Sequence, residues 1–183
     1  MDIYDSVFEL IDMRSFSNLW YWIVLAVMWS SASHWVLGVP YDVVQRARNQ
    51  LNNGPSDQSR DALNDLEDLV RLNINRMTYI SDLSGLWLMS FLFFLLSSLF
   101  MLGFVYRLEF SQALFLLLCP LSVVILLTVR KALEIHQDSP DGADLINHLG
   151  RLRFQTQLIG MFSILVTSMW GMYQNISAMV LGL

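Results

Sequence analysis

Four stretches of mostly apolar residues, each about as long as a membrane-crossing helix, leave this chain little choice of fold. They run over 19–37, 83–105, 110–129 and 158–181. A hydrocarbon core about 30 Å thick is crossed by about 20 residues of α-helix. Lipid offers no partner to a backbone N–H or C=O, so a helix that bonds within itself is the form such a stretch takes. Strands of a transmembrane barrel would alternate in polarity, and "FLFFLLSSLFMLGF" does not. The charge distribution agrees. Only 15% of residues are charged, against about 25% in soluble chains, and they gather in two blocks between apolar stretches. The expectation is an all-α integral membrane protein, one membrane domain over 1–183, with four transmembrane helices.

Lys and Arg give the expected orientation, because they concentrate in cytoplasmic loops. Nine of the eleven lie in two segments. Arg46, Arg48, Arg60, Arg71 and Arg76 fall between the first and second stretches, and Arg130, Lys131, Arg151 and Arg153 between the third and fourth. Only Arg14 and Arg107 lie on the other side. Both long loops are therefore expected in the cytoplasm and both termini outside. Trp20, Tyr21 and Trp22 would form an outer aromatic belt, with Trp35 at the inner edge.

The loops themselves read as helical hairpins over 41–80 and 130–157 that extend the spans. Leu63, Leu66, Val70, Ile74 and Met77 recur at three- and four-residue spacing, an apolar stripe opposite Asp61, Asp65, Asp68 and Arg71. No Gly or Pro intervenes between Pro55 and Gly85, which predicts one helix running into the second span. Ser139 suits an N-cap and Pro140 a first helical position in the second hairpin. Leu69-Val70-Arg71-Leu72 echoes Leu149-Gly150-Arg151-Leu152, which would fit a duplicated hairpin. At the start, Ile3, Val7, Leu10 and Ile11 share a helical face opposite acids, predicting an interfacial amphipathic helix over 1–14. Its acidic opening differs from the positive start of a cleaved signal.

Polar groups within the spans are the natural functional candidates. His34 lies near the inner end of the first, after Ser30 and Ser33, and histidine can gain or lose a proton near neutral pH. Gln174 and Asn175 lie in the fourth. These five residues could line a pore or sense pH; they could equally serve interfacial or interhelical hydrogen bonding. His136, Asp138, Asp141, Asp144 and His148 surround the second loop without a metal-binding spacing, and read as a solvated turn. Pro120 should kink the third span. The single cysteine, Cys119, leaves no disulfide framework within the chain and no CxxC pair. A net charge of −5 argues against nucleic acid. No GxSxG, P-loop, GxGxxG or TVGYG sequence occurs, so no catalytic residue, cofactor or metal is expected, and bound lipid is.

The segment "VFELIDMRSFSNLWYWIVLAVMWSSASHWVLGVPYDVVQRAR", with "NINRMTYISDLSGLWL" and "LGFVYRLEF", resembles a bacterial inner-membrane family of four-span proteins sometimes labelled a component of the SufBCD complex. The resemblance implies four spans in the bacterial inner membrane, with no catalytic residues to carry over. Iron–sulfur assembly scaffolds need thiolates. The label therefore implies, for a chain with one cysteine, a membrane tether acting through cytoplasmic helices.

Residues and resemblance together lead to a non-enzymatic inner-membrane protein, working as a homo-oligomer or as an accessory subunit of a larger membrane complex. The stripe Leu63, Leu66, Val70, Ile74 and Met77 is the expected interaction surface. The alternative is a homo-oligomeric ion or proton channel lined by Ser30, Ser33, His34, Gln174 and Asn175.

Overall fold

A computed structural model of the chain describes residues 15–54, 57–138, 140 and 142–181. The interfacial helix expected over 1–14, the proposed N-cap Ser139 and the loop acid Asp141 lie outside these residues.

Helices dominate. After a 3-10 turn at Ser15–Ser17 come α1 (Leu19–His34), α2 (Tyr41–Asn52), α3 (Asp57–Phe100), α4 (Glu109–Asp138) and α5 (Gly142–Leu181). Asn18 caps α1, its side-chain oxygen accepting from the Trp20 N–H at 3.1 Å. The helix stops at His34, three residues short of the expected span end. A small antiparallel hairpin follows, β1 (Trp35–Val36) and β2 (Val39–Pro40), with Val36 opposite Val39. Its two turn residues, Leu37 and Gly38, both have positive φ. That is the backbone that twists correctly between paired strands. A leucine there costs about 1–3 kcal/mol of strain, which the burial of its side chain offsets. Gly38 has a second constraint: a Cβ would sit 3.2 Å from the Asn73 side chain of α3.

α3 is continuous through Gly85, as the uninterrupted sequence predicted. It ends in a π-helical turn, Met101–Val105, closed by the Tyr106 N–H donating to the Met101 carbonyl. α4 passes through Pro120 as one helix. Pro140 itself is not helical, and α5 is described from Gly142 to Leu181. Among the described residues, two stretches are long and apolar enough to cross a membrane, Leu83–Val105 and Glu109–Asp138.

The chain divides into two compact units. Ser30–Leu88 with Val123–Leu158 forms one. Its core joins Val36, Leu37 and Val39 of the hairpin to Val44 and Ala47 of α2. Leu66, Val70 and Ile74 of α3 and Ala132 and Ile135 of α4 pack with them. Leu145, Ile146, Leu149 and Leu152 of α5 complete the cluster. Leu63 and Met77 pack against it, partly buried. The apolar stripe is therefore covered by the chain itself, which corrects its assignment as a surface awaiting a partner. Each large apolar side chain buried there contributes about 1.5–3 kcal/mol, reason enough for the spacing.

The echoed tetrapeptides occupy different registers. Leu149 and Leu152 are buried, whereas the aligned Leu69 and Leu72 are exposed. The likeness between the two loops is thus not one of packing.

The other unit comprises Met1–Trp29, Met89–Ser122 and Ile159–Leu183. Its α1 and α5 segments run antiparallel, large side chains against small ones. A Cβ on Gly171 would lie 3.3 Å from Phe16, and one on Gly160 only 2.8 Å from the Trp29 ring. Between them Ser163 and Thr167 are buried on the same α5 face. Small residues let helices approach where lipid supplies no hydrophobic drive.

Candidate functional site: a buried amide joint and an uncovered helix

The densest polar chemistry in the described residues centres on Gln112, in the first turn of α4 and almost fully buried. Its Nε2 donates to the Gly103 carbonyl at 2.8 Å. Its Oε1 accepts from Trp170 Nε1 at 3.0 Å and from Gln174 Nε2 at 2.5 Å. The local fold explains why that carbonyl is available: in the π-helical turn the hydrogen-bond ladder shifts by one residue. Gly103 also admits α4, since a Cβ would fall 2.9 Å from the Gln112 backbone nitrogen. Phe100, Phe104, Phe115 and Trp170 close around the joint, with neighbouring ring centroids 5.0 to 5.7 Å apart.

Three further bonds tie α1 and the turn before it to the same bundle. Glu109 Oε1 accepts from the Phe16 N–H at 3.0 Å. Ser17 donates to Asn175 Oδ1 at 2.6 Å, and the Tyr21 hydroxyl donates to the Ala113 carbonyl at 3.3 Å. The arrangement is structural chemistry: every group named here donates to or accepts from another part of the same chain. Gln112 and Glu109 were not singled out as joints from sequence. Both stand at the start of an expected span, where polar residues are ordinary, so the sequence carries little signal for them.

The other candidates fall into place singly. Gln174 and Asn175 are engaged as described, so their amides link helices of this chain. Ser33 donates to the Ser30 carbonyl one turn back. His34 is exposed at the end of α1, with Nε2 4.0 Å from Asp42 Oδ2 and its ring edge-on to Trp35. Ser97 likewise donates to the Phe94 carbonyl, satisfying its hydroxyl within α3. Among the described residues, no three His, Cys, Asp or Glu side chains gather around a common point.

At the polar end of α4, Lys131 and Glu134 pair at 2.6 Å. The hydrogen bond from Lys131 holds the Glu134 carboxyl below the usual carboxylate range. Solvent screens such a pair, so its contribution to stability is small.

Much of the apolar surface of α3 is uncovered among the described residues. Only 6% of the most apolar stretch in Leu83–Val105 is buried within the chain, against 22% for the corresponding stretch of α4. Leu86 and Trp87 are about four-fifths exposed, and Phe91, Phe93 and Phe94 are exposed as well. Gly85 lies on this segment four residues after Ser81. Among the described residues, no atom of another element comes within 4 Å of where its Cβ would be. No family model, curated protein or solved structure matches the chain.

Proposed function

We propose that this chain is a non-enzymatic, four-span inner-membrane protein whose work is assembly, as a homo-oligomer or as an accessory subunit of a membrane complex. The observation that carries this reading is the bare, aromatic-rich α3 segment from Leu83 to Val105. A helix of this composition is stable only in lipid or against protein. Its Ser81 and Gly85 supply a small-xxx-small spacing that permits close helix approach, and among the described residues no other helix comes within 4 Å of a Cβ built on Gly85. A glycine inside a helix costs about 1 kcal/mol relative to alanine, a cost that intermolecular packing would recover.

Four spans, both long loops cytoplasmic and both termini periplasmic, remain the topology proposed from the nine-to-two distribution of basic residues. The channel reading finds less support, because Gln174 and Asn175 already hold partners within the chain. Membrane lipids are the expected partners over the remaining apolar surface.

Native mass spectrometry of protein extracted in mild detergent tests the proposal. It should record either a multiple of the 21.1 kDa chain or the chain bound to a second protein. A lone monomer across mild detergents, with nothing co-purifying, would sink it.

A further inference from the structure

Beside the core of the Ser30–Leu88 and Val123–Leu158 unit lies a cavity of about 440 Å³ that the assembly reading does not use. Val70, Ile74, Ile135 and Leu145 form its apolar floor, and Glu67, Arg71, Asn75 and His136 bring polar groups to it. The volume is within the range of small-molecule sites, about 300–1,000 Å³, and the mixture of apolar wall and few polar groups is typical of them.

The charges there are unspent. Glu67 and Arg71 are four apart on α3, a spacing at which acid and base commonly pair. Yet among the described residues neither side chain takes part in an ion pair or hydrogen bond. Glu67 lines the cavity on the side of the α5 start, where its Oε1 is 3.5 Å from the point at which a Cβ on Gly142 would sit. The positive end of that helix is a favourable place for a carboxylate. Arg71 and Asn75 remain as donors one turn apart on a single face of α3, with His136 lining the same cavity from α4.

We infer that this cavity binds a small soluble organic anion with an apolar tail, a short-chain carboxylate. The Arg71 guanidinium and the Asn75 amide would hold the carboxylate, Arg71 by the paired N–H geometry that matches two oxygens. The tail would lie on Val70, Ile74, Ile135 and Leu145. The inference is independent of how the chain assembles.

Isothermal titration of the purified full chain in detergent tests it, with sodium hexanoate as probe and hexylammonium and inorganic phosphate as comparisons. Hexanoate should bind saturably and more tightly than either comparison: hexylammonium carries the wrong charge and phosphate lacks the tail. Arg71→Gln, at an exposed position, should weaken hexanoate about tenfold or more, with an unchanged circular-dichroism melt. Asn75→Ala provides a second reading should Arg71→Gln fold poorly. No saturable binding, equal binding of hexylammonium, or affinity unaltered in the folded variants would overturn the assignment.

Discussion

Gln112 concentrates the physical argument at the residue scale. One side chain satisfies a carbonyl released by a π-helical turn, an indole N–H and a second amide. Replacing it with leucine keeps the volume and removes all three bonds, leaving buried polar groups without partners. Such groups cost about 1–3 kcal/mol. Gln112→Leu should therefore lower unfolding stability by about 2 kcal/mol, read from denaturant titration in mixed micelles. Two glycines give a paired test. A Cβ at Gly160 would press on the rigid Trp29 ring, whereas one at Gly150 meets nothing within 4 Å. Gly160→Ala should cost about 1–3 kcal/mol through overpacking. Gly150→Ala should stabilise by about 0.4–1 kcal/mol, because alanine restricts the unfolded chain. Equal effects of the two substitutions would contradict the close approach of α1 to α5.

Among the elements, α3 was the most legible in sequence and also the most misread. Its helical extent followed from a run without Gly or Pro and from the spacing of Leu63, Leu66, Val70, Ile74 and Met77. Periodicity reveals that a face is covered, but not what covers it. Here α2, α4, α5 and the small hairpin do so. Leu66→Ala should accordingly cost about 2–5 kcal/mol as a core truncation, measured as a lower melting temperature, while the folded fraction keeps its oligomeric state. The Leu37–Gly38 turn was not legible. An apolar sequence continuing past His34 looks like more span, and only the pairing of Val36 with Val39 shows that the helix has ended. The polar joint was half legible: Gln174 and Asn175 stood out within an apolar run, whereas Gln112 and Glu109 lay at a span edge, where polar residues are ordinary.

At the scale of the whole molecule, the helical composition agrees with the expectation, and among the described residues two stretches, where four were expected, are long and apolar enough to cross a membrane. The proposed topology makes an independent prediction. In a Cys119→Ser background, a membrane-impermeant maleimide applied from the periplasmic side should label Tyr106→Cys. It should spare Gln58→Cys and Gln137→Cys until the membrane is opened. Labelling of position 58 or 137 in sealed membranes would overturn the orientation read from the basic residues.

The claim that the bare face of α3 is where this chain meets another protein is tested most directly by photo-crosslinking in native membranes. A photoreactive amino acid would replace Leu86, Trp87 or Phe94, each exposed, with Leu66 as the buried control. The account predicts one discrete protein adduct, a second copy or a single other subunit, from at least one α3 position and none from position 66. Adducts to lipid alone from all three α3 positions would contradict it.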